Sequence, residues 1–258
     1  MKITRFEKFW QVLSPLFEKK KSRGRPAKHA VKDILKAIVW ILDTGSQWRN
    51  LPKEFPPKST VHYWHQRWSE DGTYELMATF LAQEAYDTDL INLAQSFIDG
   101  TFIRTKGSTD RVGKTKCGKG SKLMVLVAKD GFPLSIHLES AQIHESKLVE
   151  DTLDVSFLED NPAHITGDKA YDSDPLDERL KRRGIMMNAP HRQNRKKPKT
   201  QSQEGLLHYP ERWRVEDFNA KFQWARKALI RYEKKSINYL GFALLSTIGV
   251  MGQFLGIF

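Results

Sequence analysis

The chain has almost no cysteine, and its first residues lack an unbroken apolar stretch. Cys117 is the only cysteine among the 258 residues, which excludes an internal disulfide and a cysteine-rich zinc site. Charged residues interrupt the apolar positions of segment 1–19, so this segment lacks the apolar core of a signal peptide. We therefore expect a reducing, cytoplasmic location.

Acidic side chains are outnumbered by basic ones. The chain has 42 Lys and Arg against 31 Asp and Glu, which gives a formal net charge of +11. Such an excess favours a polyanionic partner such as nucleic acid over an acidic small molecule.

Charged side chains are absent from segment 237–258. The segment is long enough to span a bilayer, for which about 20 apolar residues are needed. Polar residues and glycines interrupt it, namely Asn238, Gly241, Ser246, Thr247, Gly249, Gly252, Gln253 and Gly256. They favour a buried closing helix in a protein that does not enter a membrane, with a membrane anchor as the alternative.

Two predicted helices lie near the N-terminus. The first carries apolar residues at helical spacing and ends at Gly45, and the second begins at Ser59 or Thr60, either of which can cap it. Apolar and aromatic residues share one face of the second helix, and the opposite face carries His62, Tyr63, Gln66 and Arg67. A proline-containing turn between such helices is compatible with a helix-turn-helix that reads the major groove of double-stranded DNA, although the pattern by itself equally describes an ordinary helical hairpin.

A basic segment, 19–26, precedes these helices and includes Arg23 and Arg25. Its Gly-Arg-Pro sequence resembles an element that binds the minor groove of DNA. A solvated linker that ends in a helix-starting proline is the alternative.

From about Gln95 the apolar pattern changes to alternation. It predicts three antiparallel strands, with a hairpin at Asp130-Gly131, followed by helix, strand, helix, strand and a long helix over 215–234. This order predicts an α/β fold with a ribonuclease-H-like mixed sheet flanked by helices, preceded by a small all-α helix-turn-helix-like domain. We expect domains at 1–92 and 93–258, with a basic insertion near 190–208.

Three acids occupy positions suited to metal binding. Asp99 lies inside an apolar strand, Asp168 follows an apolar strand and Gly167, and Glu216 lies in the first turn of a helix. Carboxylates are ligands that Mg²⁺ prefers, and two such ions promote phosphodiester cleavage and transfer. The alternative is that these three were selected by chance among 31 acids.

Tyr209, Arg212 and Glu216 stand at the spacing Y-two-R-three-E. With these residues the chain resembles the bacterial insertion-sequence DDE transposases, specifically the insertion-sequence-five family. The resemblance extends to segments 24–26, 38–42, 44–45, 48–52, 67–68, 98–101, 144–146, 167–172 and 231–233.

The resemblance implies a role for each motif. Asp99, Asp168 and Glu216 would form the catalytic triad that binds Mg²⁺, with Mn²⁺ as a substitute. Tyr209 and Arg212 would contact the DNA near the cleaved phosphate. The family's signature ends in a lysine where this chain has Gln223, and the neighbouring basic residues Lys221 and Arg226 would take over that contact.

The activity implied by the resemblance is that of a DNA transposase. The domain at 1–92 would bind the terminal inverted repeats of an insertion sequence, and the domain at 93–258 would cut and join strands, with at least a dimer assembled on DNA in the bacterial cytoplasm. Two rival functions are a DNA-binding repressor or domesticated protein without cleavage activity, and a nuclease that does not join strands.

Further residues are candidates for phosphate binding or for a structural role. Lys169, Arg214 and the loop 192–199 are candidate phosphate contacts, or ordinary solvated surface. His144 and Glu145 are interpreted as a helix cap or sheet-end pair rather than as metal ligands. Aromatic and apolar residues of the last helices are expected in the core, namely Trp213, Phe218, Phe222, Trp224 and Leu229.

Overall fold

The computed structural model describes residues 5–17, 28–198, 200–201 and 205–257. The basic segment with Arg23 and Arg25 lies outside these ranges, so its interpretation stays a prediction. The helices in the described part of the chain are α1 (Phe6–Leu13), α2 (Val31–Thr44), α3 (Lys58–Glu70), α4 (Thr73–Asp87), α5 (Val149–Asp154), α6 (Asp174–Arg182), α7 (Trp213–Phe222), α8 (Arg226–Leu229) and α9 (Ser236–Phe254). The strands there are β1 (Ser96–Thr105), β2 (Gly113–Thr115), β3 (Gly118–Ala128), β4 (Pro133–Ser140), β5 (His164–Thr166), β6 (Met186–Asn188) and β7 (Ile230–Arg231).

The chain divides into two compact units. The first comprises Met1–Leu81, Lys106–Ser108 and Lys221–Phe258, and the second comprises Ala82–Thr105 and Thr109–Ala220. The compact units therefore differ from the predicted domains, because segment 221–258 groups with the N-terminal helices and not with the sheet. The physical reason is that α9 packs against α2 and α3 and supplies much of their apolar surroundings.

In the first unit, α2 forms as its apolar spacing predicts. Gly45 ends the helix in the left-handed conformation, with φ 70°, and its N–H donates to Ile41 O at 2.9 Å. Helix α3 begins at Lys58, and Pro57 at its N-cap makes no side-chain cap. The prediction of a cap by Ser59 or Thr60 is therefore wrong, because the helix already includes both residues.

Helix α9 is the predicted closing helix. It is long and apolar enough to cross a membrane, but 78% of its most apolar window is buried within the protein. Gly241 permits close packing, since a Cβ at this position would collide with Ser69 Oγ on α3. This burial confirms the prediction of a core helix.

The predicted long helix over 215–234 is wrong, since α7 ends at Phe222 and α8 gives way to the extended residues of β7. Side chains of α9 satisfy carbonyls that the break releases. Ser246 Oγ donates to Phe222 O at 2.8 Å, and the Tyr239 hydroxyl donates to Ala228 O at 2.6 Å. Tertiary contacts thus replace the hydrogen bonds of a continuous helix.

The core prediction for this region holds for Phe218 and Phe222, which are buried. It is wrong for Trp213 and Trp224, which are 50% and 61% exposed, and for Leu229, which is also exposed. Trp213 is the first residue of α7, and Trp224 lies in the break between α7 and α8.

The second unit is built on a mixed sheet. Strand β3 pairs antiparallel with β1, β2 and β4, whereas β5 pairs parallel with β1 and with β6. The Asp130-Gly131 hairpin is confirmed, with Gly131 at φ 86°. Together with the flanking helices, this sheet confirms the predicted α/β architecture.

The helix predicted after the three antiparallel strands is short. A 3-10 turn, Glu145–Lys147, is followed by α5, and the chain then bends back so that Phe157 N–H donates to Leu134 O at 2.9 Å. This turn places Glu145 at the end of β4, beside the centre of the sheet.

Candidate functional site

Two acids meet because their strands are parallel neighbours. Phe97 of β1 stands opposite Thr166 of β5, and each acid follows two residues later: Asp99 within β1, and Asp168 just after β5. Because paired residues of parallel strands advance together, this register brings positions 99 and 168 next to each other. The register thus confirms that both predicted acids lie in one place.

Asp99 occupies a strongly perturbed environment. Burial raises its pKa from 3.8 to about 6, and the charges of Glu145 and Asp168 act in the same direction. Two groups oppose this shift, namely the backbone N–H of Gly100 and the guanidinium of Arg212, whose Nη2 lies 3.7 Å from Asp99 Oδ1. Three carboxylates and one guanidinium therefore interact at this point of the sheet.

Asp168 is held by the turn that follows it. Its Oδ1 accepts the N–H of Ala170 at 2.7 Å and so caps the 3-10 turn Lys169–Tyr171. Gly167, before it, lies under the ring of Tyr171, and a Cβ there would come within 2.5 Å of Tyr171 Cδ2. Only glycine leaves room for this ring without displacement.

Glu145 is a member of this cluster that the sequence interpretation missed. Its Oε1 lies 3.3 Å from Lys122 Nζ, and both side chains are largely buried. A Cβ at Gly100 would lie 2.9 Å from Glu145 Cδ, so Glu145 packs against β1 on the face opposite to the Asp99 side chain. Two features of the sequence could have indicated Glu145, namely the glycine that follows Asp99 and the family motif at 144–146.

The capping interpretation of this motif is nevertheless confirmed for its first residue. His144 Nδ1 accepts the N–H of Ser146 at 3.3 Å at the start of the turn. The cap fixes the turn that carries Glu145.

Tyr171 lies against the same cluster and is buried. Its hydroxyl has no hydrogen-bond partner among the described residues. Burial raises the pKa of Tyr171 well above its usual value, and Glu145, Asp99 and Asp168 raise it further. The hydroxyl therefore stays protonated and remains a hydrogen-bond donor.

The signature residues lie on one continuous segment. The 3-10 turn Tyr209–Arg212 runs into α7, and the Arg212 guanidinium lies 5.7 Å from the centre of the Tyr209 ring. Glu216 lies one helical turn beyond Arg212 and is exposed. The side chain from this segment that acts on the pKa of Asp99 is Arg212, so the place of Glu216 in the triad stays a prediction.

Two of the carboxylates form ion pairs, Asp99 with Arg212 and Glu145 with Lys122. Across the described ranges, no group of three or more His, Cys, Asp or Glu side chains is arranged to hold a metal ion. The carboxylate oxygens of Asp99 and Asp168 are nevertheless the kind of ligand that hard divalent cations prefer. The donor chemistry therefore fits Mg²⁺ or Mn²⁺.

The loop at 192–199 has a structural role that the sequence did not indicate. Arg192 donates to Lys169 O at 3.0 Å and to Ala170 O at 2.9 Å, and Arg195 forms ion pairs with Asp172 and Asp174. These arginines hold the segment that follows Asp168. Their interpretation as phosphate contacts, or as ordinary solvated surface, stays a prediction.

The predicted DNA-contacting residues of α3 lie on its outer face. Tyr63 is 54% exposed, and its hydroxyl accepts from Arg67 Nη1 at 3.2 Å. Gln66 donates to Glu70 at 3.0 Å, and the half-buried His62 packs edge-on against the Trp48 ring. Their contact with DNA stays a prediction.

The remaining basic candidates fall into different compact units. Lys221 and the exposed Arg226 belong to the first unit, whereas Tyr209 and Arg212 belong to the second. Their predicted contacts with DNA stay predictions.

Comparison with protein families gives two matches along the chain. Residues 7–78 match the family described as "Putative transposase of IS4/5 family", and residues 95–247 match the family described as "Transposase DDE domain". The second match covers more than half of the chain and includes the acids of the sheet.

Two related proteins match shorter parts of the sequence. The "Insertion element IS402 uncharacterized 16.2 kDa protein" of Burkholderia cepacia is 27% identical over 115 residues, which cover 42% of this chain and 78% of that protein. The "Uncharacterized protein y4sN" of Sinorhizobium fredii (strain NBRC 101917 / NGR234) is 29% identical over 86 residues, covering 33% of this chain and 64% of that protein.

Among solved structures, the chain is similar to the piggyBac transposase in its synaptic complex with hairpin DNA. The TM-score is 0.55 at 10% sequence identity, with 98% of this chain and 74% of that chain covered. At this identity the likeness concerns the fold, and it agrees with the ribonuclease-H-like class predicted from the order of strands and helices.

Proposed function

The chain belongs to the transposase DDE-domain family, and on that premise we propose that it binds the inverted repeats of an insertion sequence and cuts and joins DNA strands with Mg²⁺, or with Mn²⁺ as a substitute. The predicted resemblance to the insertion-sequence-five family is confirmed by the match of residues 7–78. The function of the family is DNA transposition.

The observation that carries this proposal is the meeting of Asp99 and Asp168 at neighbouring parallel strands, with Arg212 alongside. A bound divalent cation supplies neutralisation of charge on the attacking and leaving oxygens of the phosphodiester. Asp99 and Asp168 would hold that cation through carboxylate oxygens. Arg212 carries a fixed positive charge beside them, which suits a phosphate of the DNA backbone.

Glu216 is proposed as the third acid of the catalytic set. It lies one turn beyond Arg212 at the start of α7, and Arg212 contacts Asp99. An acid in this position extends from the helix that adjoins the cluster. A carboxylate that joins only when DNA and metal bind would accord with its exposure.

The proposed partners are the two DNA ends of the element and the target DNA. The formal charge of +11 and the polar outer face of α3 support binding to double-stranded DNA. Since two ends must be brought together for transposition, we propose at least a homodimer on DNA, acting in the bacterial cytoplasm at the nucleoid.

The test uses the full chain with DNA that carries the element ends, in the presence of Mg²⁺. We expect nicking at the ends that is lost in Asp99→Ala and in Asp168→Ala and kept in Glu159→Gln, an exposed acid of the same unit. Covalently joined product must also form when target DNA is added. Nicking without joining would indicate a nuclease, and tight binding without nicking would indicate a repressor.

A further inference from the structure

We propose that Arg192 is a positioning residue for Asp168. Its guanidinium clamps the turn Lys169–Tyr171 and so fixes the peptide group whose N–H holds the Asp168 carboxylate. The proposal rests on the function proposed above, in which Asp168 is a catalytic acid, and it adds a residue that lies outside the matching motifs. A contact between Arg192 and a DNA phosphate is the alternative that the experiment separates from this clamp.

One peptide group links Arg192 to Asp168. The peptide between Lys169 and Ala170 is a rigid plane, with the Lys169 carbonyl at one end and the Ala170 N–H at the other. Arg192 Nε donates to Lys169 O at 3.0 Å, and the Ala170 N–H donates to Asp168 Oδ1 at 2.7 Å. Because the plane turns as a unit, a guanidinium that fixes the carbonyl also fixes the direction of the N–H. The hydrogen bond to the carbonyl also polarises this peptide, which strengthens its N–H as a donor.

The guanidinium holds the turn at two adjacent carbonyls. Arg192 Nη2 donates to Ala170 O at 2.9 Å, one residue beyond the carbonyl that Nε contacts. A guanidinium donates in a fixed planar fork, so it matches two neighbouring carbonyls better than an ammonium group does. The turn closes with a long hydrogen bond, from the Asp172 N–H to Lys169 O at 3.4 Å. The guanidinium therefore supplies restraint that the short turn itself provides weakly.

The backbone of Arg192 is anchored to the same segment. Its N–H donates to Asp172 Oδ2 at 2.9 Å, and the Asp172 side chain is only 5% exposed. The preceding residue, His191, contacts Asp172 Oδ1 through Nδ1 at 2.9 Å. Its Nε2 accepts the N–H groups of Thr200 and Gln201 at 3.0 and 3.2 Å. These contacts dock the loop against the segment that follows Asp168, so the Arg192 side chain extends from a fixed backbone.

A clamp and a phosphate contact predict different effects when the side chain is changed. A phosphate contact contributes to DNA affinity and to its salt dependence, by about 0.9 in log K per tenfold change in salt. A clamp acts on the turn within the protein and leaves both quantities unchanged. Arg192→Lys would keep a phosphate contact, whereas it would reproduce the fork of the guanidinium poorly.

The first measurement is the exchange of the Ala170 N–H with solvent, by nuclear magnetic resonance of the full chain with isotopically labelled alanine and without DNA. We expect Arg192→Met to raise the exchange rate of this N–H about tenfold, because the turn opens more often. The matched control is Arg182→Met, which removes an exposed arginine at the end of α6 in the same compact unit. It should leave the exchange rate unchanged.

The second measurement is single-turnover nicking of element-end DNA at saturating protein, together with DNA affinity at several salt concentrations. Arg192→Met should nick about tenfold more slowly, because a small displacement of a catalytic group is costly. Its DNA affinity and the salt dependence of that affinity should match the wild type. Arg192→Lys should stay slow although it keeps the charge, and Arg182→Met should nick at the wild-type rate.

An unchanged exchange rate of the Ala170 N–H in Arg192→Met would overturn the clamp. Faster exchange with nicking at the wild-type rate would overturn its role in positioning Asp168. A smaller salt dependence of DNA affinity in Arg192→Met, with nicking restored in Arg192→Lys, would overturn the proposal in favour of a phosphate contact. If the wild type does not nick the DNA, the proposed function fails, and the exchange rates still decide whether Arg192 fixes the turn.

Discussion

Replacing Asp99 by Asn should stabilise the protein when no metal is present. Burial raises the pKa of this carboxyl from 3.8 to about 6, with Glu145 and Asp168 adding to the shift. In the unfolded chain the pKa returns to about 3.9. Between these two values the folded state binds more protons than the unfolded state, so the free energy of unfolding falls as pH rises from about 4 to about 6.

The size of the effect follows from the shift. An increase of about two pKa units corresponds to about 3 kcal/mol. This figure is an upper bound, because the side chain is 25% exposed and solvent screens part of the interaction. For a chain of this size, 1 kcal/mol changes the melting temperature by roughly 2–4 °C. Asp99→Asn should therefore melt several degrees above the wild type at pH 7.5, and at nearly the same temperature at pH 4.

Thermal denaturation in a chelator, followed by circular dichroism from pH 4 to pH 7.5, measures this difference. Asp177→Asn is a matched control, because the pKa of Asp177 is also raised to about 6. Burial is the main cause, and the charges of Asp174 and Asp172 add to it. In Mn²⁺ the Asp99→Asn protein should melt below the wild type, because it has lost a metal ligand. The Asp177→Asn protein keeps all the proposed ligands, so Mn²⁺ should not reverse the order of its melting temperature and that of the wild type. The reasoning would be refuted if metal-free Asp99→Asn melted below the wild type at pH 7.5. It would also be refuted if the increase in melting temperature over the wild type were as large at pH 4 as at pH 7.5.

Three further outcomes are expected. Burial lowers the pKa of His65 from 6.5 to about 3, so its contribution to stability is complete above pH 6.5 and is lost as pH falls toward 3. Urea unfolding of the wild type and of His65→Ala at pH 7, 5 and 4 checks this. If the free energies of unfolding of the two proteins changed in parallel with pH, the prediction would be contradicted. Gly100→Ala should reduce strand cleavage at least tenfold with little change in DNA affinity, because the added Cβ would lie 2.9 Å from Glu145 Cδ. Cleavage and gel-shift assays separate the two effects. Cleavage at the wild-type rate would contradict the close packing at Gly100. Affinity for element-end DNA should fall with salt, with log K dropping by about 0.9 for each phosphate neutralised per tenfold increase in salt; a complex insensitive to salt would argue against phosphate contacts.

Local patterns were sufficient for the elements that place the first two acids. Alternating apolar residues predicted β1, β3 and β4, and the hairpin signal at Asp130-Gly131 fixed the antiparallel turn. A strand that ends just before Gly167 predicted that Asp168 would project from the edge of the sheet. These features depend on neighbouring residues, which is why they can be read without coordinates.

Other features depend on contacts between distant segments. The break between α7 and α8 is stabilised by hydroxyl groups of α9, and the exposed Trp224 lies within that break. Periodicity within 215–234 carries no information about those partners. The same is true of Arg192 and Arg195, whose charge predicted contacts with phosphate and whose partners are carbonyls and carboxylates of the segment after Asp168.

The amino-acid order by itself determined the family, the α/β class and the presence of Asp99 and Asp168 at strand positions, because these follow from spacing and from short-range periodicity. Only the tertiary structure decided that Glu145 pairs with Lys122 against Gly100, that the Tyr171 ring covers Gly167, and that segment 221–258 packs with the N-terminal helices. The reason is strand register and side-chain size: a glycine at position 100 admits Glu145 from a distant turn, and no local pattern specifies which side chain fills the space that a glycine leaves.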